Sequence, residues 1–163
     1  MINLSYSWES RRYPRPKRSE LKKLAAKAAE LAGLPTDMDW ELNIRFVGDR
    51  EMARANEEFV GHIGTTDVIT FSYFDDAENL FPGETAVELI ICMDAAKREG
   101  ESREDSDYSR EMVLYLVHGL LHSAGEDDLS PAPRRRMRRR ENEVLAGLSP
   151  EFDFQTVFPP AEQ

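Results

Sequence analysis

The stretch His118-Gly-Leu-Leu-His122-Ser-Ala-Gly125-Glu-Asp-Asp128 decides how this chain is read, because it closes a long apolar run and then turns. Residues 109–124 are apolar almost all round, which predicts a central, buried helix rather than a surface one. Met112, Val113, Leu116, Val117, Leu120 and Leu121 project onto one broad face, while His118 and His122, four apart, share the opposite edge. Imidazoles one helical turn apart reach a single ion at the usual zinc–nitrogen distance of about 2.0–2.1 Å. Gly125 is the residue type that ends a helix in a left-handed conformation, which lets Asp128 return as an oxygen ligand. The spacing therefore predicts one divalent metal on His118, His122 and Asp128, with zinc favoured. Two histidines with one carboxylate also make some non-haem iron sites. Glu111 and Tyr115 project toward the same edge and are expected to orient an imidazole.

An H-x-x-x-H pair also arises by chance on an amphipathic helix, with both rings held by ordinary hydrogen bonds. The glycine and the downstream carboxylate weigh against that. His62 stands alone in a loop and reads as a solvated side chain. Zinc proteases place a glutamate directly after the first histidine as proton acceptor. Here that position is Gly119, which counts against peptide hydrolysis.

Outward from this helix, residues 66–74 and 86–93 are rich in β-branched and aromatic residues and read as strands. Between them 75–84, with Pro82 and Gly83, reads as a loop. Trp40, Leu42, Ile44 and Phe46 alternate with polar neighbours, the signal of a half-buried strand. Gly48 and Asp49 then turn into a short helix to about Phe59. A helix from an N-cap at Ser19 to Leu31 buries Leu21, Leu24, Ala28 and Leu31, with Gly33 and Pro35 as its stop. A last helix, 132–146, buries Met137, Val144 and Leu145. This order of helices and strands predicts an α+β fold: a single compact domain, 1–148, with a small mixed sheet supporting the buried histidine helix. The segment 149–163, with three prolines, is expected to be a partly disordered tail.

The 163 residues suit one domain around one core. Hydrophobic residues at 40% and charged residues at 32% fit a soluble protein, and no apolar run approaches the roughly 20 residues that span a bilayer. The N-terminus has no secretory pattern, so the expected location is cytoplasmic. Cys92, the only cysteine, lies in an apolar run and reads as a small buried hydrophobe. The formal charge of −10 repels polyanions on average. More than half of the 21 basic residues nevertheless fall in two stretches, Arg11 to Arg18 and Arg134 to Arg140. Such patches can hold phosphate, and Arg134, Arg135, Arg138 and Arg139 are the candidate RNA contacts. A solvated helix face, neutralised by Glu141, Glu143 and the cluster 126–128, is the alternative.

The histidine stretch resembles the YbeY family, whose signature reads H-G-x-L-H-x-x-G-Y-D-H. His118, Gly119, Leu121, His122, Gly125 and Asp127 match it. Thr66-Asp67-Val68-Ile69-Thr70-Phe71 is similar to the family's T-D-V-L-S-F strand, and Glu88-Leu89-Ile90-Ile91 to its G-D-I-x-I segment. The resemblance covers most of 41–148. It implies a metal-dependent endoribonuclease that cleaves single-stranded RNA in ribosomal RNA maturation, with ribosomal RNA and the small ribosomal subunit as partners. The ion would polarise a phosphoryl oxygen and supply hydroxide near neutral pH.

Three positions depart from the pattern. Asp128 stands where the family has its third histidine, Glu126 replaces a tyrosine, and Val60 replaces an arginine. An anionic ligand weakens the ion's Lewis acidity, and Val60 removes a phosphate contact. These changes keep open a ribosome-associated RNA-binding factor with a structural metal and decayed catalysis. A zinc metalloprotease is the remaining rival.

Overall fold

The alternation along Trp40–Val47 is realised as strand β2, in which Trp40, Leu42, Ile44 and Phe46 are buried and Glu41, Asn43 and Arg45 are partly exposed. The computed structural model describes residues 1–74 and 80–161. Along the chain, β1 (Ile2–Trp8) and α1 (Arg18–Ala32) precede β2. Helix α2 (Asp49–Ala55) then runs into a π-helical turn, Asn56–Val60. Strands β3 (Val68–Ser72) and β4 (Thr85–Cys92) are followed by α3 (Met93–Ser102), α4 (Tyr108–Ser123), α5 (Pro131–Leu148) and α6 (Phe154–Val157). The fold is α+β in a single domain, as the element order predicts.

The sheet order is β1-β2-β4-β3, with β1, β2 and β4 parallel and β3 antiparallel to β4. Strand β4, paired on both sides, reads as a near-continuous apolar run because both its faces are covered. Helix α4 packs against α1, α3 and α5 and against β3 and β4. Its apolar face is buried throughout, as are Glu111 and Tyr115. The close approach of α4 to the sheet depends on Gly119. A Cβ there would lie 2.5 Å from Leu89 Cδ2 and 3.2 Å from Thr70 Oγ1. Gly100 does the same for α3 and α4, since a Cβ would meet the Asp107 carbonyl carbon at 2.4 Å.

Several elements differ from their sequence reading. Helix α1 begins at Arg18 with Lys17 as N-cap, so Ser19 lies inside the first turn. Strand β1 and helix α3 have no counterpart in that reading. β1 is an edge strand with a mostly half-exposed pattern, and α3 is short and rich in charge. The segment 149–163, expected as a partly disordered tail, contains α6, and Val157 and Phe158 are fully buried. Phe158 stacks near Trp8 and Phe46, and its carbonyl accepts the Ser109 hydroxyl at 2.6 Å. Three prolines cap the segment's flexibility less than these aromatic contacts fix it. Of the expected loop 75–84, residues 75–79 lie outside the described residues, as do 162–163. Among the described residues no helix is long and apolar enough to cross a membrane.

Candidate functional site

Helix α4 ends as its sequence requires. Gly125 takes φ +105°, its N–H bonds the His122 carbonyl, and the Glu126 N–H reaches back to the Leu121 carbonyl. This left-handed closure satisfies the last carbonyls and redirects the chain. It brings Asp128 to His118, with Oδ2 4.0 Å from Nε2. Arg134 Nε donates to the Asp128 carbonyl at 3.3 Å and ties this turn to α5.

His118, His122 and Asp128 line one cavity of about 360 Å³. His118 is partly buried, whereas His122 and Asp128 are exposed. Among the described residues no three such side chains yet converge at coordination spacing. Two donors on one tetrahedral zinc stand roughly 3.3 Å apart. The 4.0 Å between His118 and Asp128 is thus a small side-chain adjustment away from that value.

The group behind His118 is Glu141, from α5. Its Oε2 lies 2.6 Å from His118 Nδ1. Glu111 and Tyr115, expected to orient an imidazole, make no hydrogen bond to one among the described residues. Glu111 accepts the Ser106 hydroxyl at 3.0 Å, and burial raises its pKa. Tyr115 is buried, and its hydroxyl has no hydrogen-bond partner among the described residues. The sequence offers a weak signal for Glu141. It is a carboxylate four residues after the buried Met137, on a helix that must cover α4, but a glutamate among arginines reads first as a neutralising charge.

The cavity also contains His62, which reads from sequence as a solvated side chain, and Asp67. The π-helical turn explains how His62 gets there. The Asn56 carbonyl accepts the His62 N–H at 3.2 Å, and Asn56 Nδ2 donates to the Gly64 carbonyl at 2.9 Å. Both ends of the loop are therefore pinned by one buried asparagine. Gly61 and Gly64 take φ of +81° and +96°, which let so short a loop close. Single π turns often mark functional positions.

Burial alone would lower the His118 pKa. The hydrogen bond and charge of Glu141, with Asp67 and Asp128, prevail and raise it. Without a metal, a proton on His118 therefore meets the surrounding carboxylates. A metal ion at Nε2 would supply that positive charge instead, leaving the Nδ1 proton on the Glu141 side. The donor set fits a divalent ion in this respect.

Of the four arginines proposed for RNA, only Arg138 lines a cavity beside His118. Arg134 holds the Asp128 backbone, and Arg135 and Arg139 are exposed without ion pairs among the described residues. Cys92 is buried, which pushes its thiol up to about 11 and suits a packing role.

Residues 7–149 match the model of the family described as Endoribonuclease YbeY. A protein of that name from Chlorobium luteolum is 35% identical over 108 residues, covering 66% of this chain and 74% of its own. Another from Anaeromyxobacter sp. is 34% identical over 127 residues, covering 78% and 64%. A solution structure from Thermotoga maritima shares the fold with a TM-score of 0.54 at 21% identity, over 92% of this chain and 93% of that one.

Proposed function

Because this chain belongs to the Endoribonuclease YbeY family, we propose that it is a metal-dependent endoribonuclease acting on single-stranded RNA in small-subunit ribosomal RNA maturation, in the cytoplasm. The observation that carries the metal reading is the His118 ring. Its Nδ1 is 2.6 Å from Glu141, and its Nε2 faces Asp128 across the cavity that His122 also lines. A carboxylate behind an imidazole fixes the tautomer and leaves the other nitrogen as the donor.

His118, His122 and Asp128 would hold one divalent ion, most simply zinc. The ion would polarise a phosphoryl oxygen and favour a hydroxide nucleophile near neutral pH. The chain's own residues do the remaining work. Glu141 accepts the Nδ1 proton and keeps the ring from turning. Asn56 holds the loop that presents His62 to the same cavity. The exposed Val60 leaves one wall of the cavity apolar where the family carries an arginine.

Val60 is also the observation that favours the second reading, a ribosome-associated RNA-binding factor with a structural metal. The protease reading loses ground further, since at Gly119, the position needing a glutamate, a Cβ would already lie 2.5 Å from Leu89 Cδ2 and 3.2 Å from Thr70 Oγ1.

Cleavage of a single-stranded fragment from the end of the small-subunit RNA tests the proposal. Cleavage that stops on chelation, returns with zinc and is lost in His122→Ala supports the nuclease. Metal retained at wild-type stoichiometry in His122→Ala after a chelator wash would sink the ligand assignment. Stoichiometric metal and RNA binding with no cleavage would leave the binding factor.

A further inference from the structure

A second cavity, also about 360 Å³, opens on the other side of His118 and shares Asp67 with the first. Three arginines from three different elements meet in its wall: Arg103 just past α3, Arg110 in the first turn of α4, and Arg138 on α5. That convergence is notable in a chain whose formal charge is −10. We infer that this cavity is a phosphate subsite, in which Arg103, Arg110 and Arg138 hold a phosphodiester of the RNA strand next to the one lying at His118. The inference rests on the RNA reading above.

The arginines are only weakly committed elsewhere. Arg103 reaches Glu99 at 3.4 Å, Arg110 stands 3.9 Å from the Glu111 carboxylate, and Arg138 has no ion pair among the described residues. Arg98, by contrast, is tied to Asp49 by two hydrogen bonds and is not free to serve. The opposing carboxylates are Asp67, Asp105 and Glu141. Glu141 is engaged by His118, and Asp67 Oδ1 takes the Val68 N–H at 2.8 Å. Asp67 and Asp105 are the acids without a basic partner among the described residues, set against three arginines in the same wall.

Guanidinium donors suit phosphate oxygens, which accept only. The shared Asp67 and His118 make the two cavities one path, so a strand seated at the first would lead its neighbouring phosphate into the second.

The test is a fluorescence-anisotropy titration of a labelled 2′-O-methyl single-stranded oligonucleotide, checked to remain intact, over a range of salt. Intact wild-type protein is compared with Arg103→Gln, Arg110→Gln, Arg138→Gln and their combination. Each true phosphate contact contributes roughly 0.7 to the slope of log affinity against log salt for a single strand. The slope should flatten by about that amount for each arginine removed. Arg135→Gln with Arg139→Gln should leave it unchanged, and Asp105→Asn should tighten binding. Thermal melts confirm that each variant is folded. Binding with a slope unchanged in the combined variant overturns the subsite alone. A wild-type protein that does not bind the oligonucleotide overturns the RNA reading and the subsite with it.

Discussion

The two histidines on α4 and the residues that face them from loops are held in different ways. His118 and His122 belong to a helix whose remaining surface is pressed into the core, so their direction is set by packing. Asp128 and His62 are set by a few backbone hydrogen bonds, at the left-handed Gly125 and around Asn56. One half of the site cannot move without disturbing the sheet. The other can shift at small cost, and the 4.0 Å between His118 and Asp128 is a gap that only the loop half can close.

The packed half can be broken most severely at Gly119. A valine there would drive carbon into Leu89 and Thr70, where the space for a Cβ is already missing. Overpacking a well-filled core costs typically 1–3 kcal/mol, and the β-branched residue in a helix adds to it. Urea denaturation should show a loss of about 3 kcal/mol. A loss under about 1 kcal/mol would mean that α4 is not held by the sheet. Leu129→Ser, on the exposed loop beside Asp128, should change stability by less than about 0.5 kcal/mol.

Glu141 joins the two halves, because it holds Nδ1 of a helix histidine whose Nε2 faces the loop aspartate. On the proposed metal site, Glu141→Gln should weaken zinc binding about ten- to a hundredfold, the usual cost of losing such a partner. In the metal-free protein the same change should lower the His118 pKa, followed by NMR titration of its ring. The raised pKa means that charged His118 favours the folded state. Its contribution is fully present below the ordinary histidine value, near 6.5, and is lost as pH rises through the raised value. The stability gap between wild type and variant should therefore be widest on the acid side of neutrality and shrink toward alkaline pH. A gap independent of pH would show that Glu141 serves packing alone.

The same division explains what the sequence reveals. Whatever periodicity governs is legible: the buried α4, the alternation of β2, the apolar run of β4, and the i, i+4 histidines. Gly125 is legible too, because few other residues take its φ. The contacts that are not legible join segments far apart in the chain. Glu141 meets His118 across 23 residues, and Phe158 reaches Trp8 and Phe46 across the whole fold. His62 is exposed, as it reads, but its place at the cavity has no local signal. The residue that places it, Asn56, is polar and belongs to a π turn, which hydrophobic pattern does not register. The arginine run is ambiguous for a related reason. A run of like charge on a helix spreads over all faces, and of the four candidates Arg138 lines the arginine-walled cavity beside His118.

Asn56 is where the loop half can be tested with the smallest expected effect. Its side-chain amide donates to the Gly64 carbonyl at 2.9 Å and is itself 5% exposed, while its carbonyl takes the His62 N–H. Asn56→Ala removes the first bond but keeps the second, since the backbone is unchanged. A typical intramolecular hydrogen bond contributes about 1 kcal/mol net, and a carbonyl left unpaired near the surface is resolvated. Global stability should fall by about 1 kcal/mol, well below the Gly119→Val loss. The sharper readout is hydrogen exchange. Amides of the 61–64 loop should lose protection while those of α4 keep theirs, because local opening need not involve the core. Loss of protection in both regions together would mean that the loop and the histidine helix form one cooperative unit, and that the site is as rigid on its loop side as on its helix side.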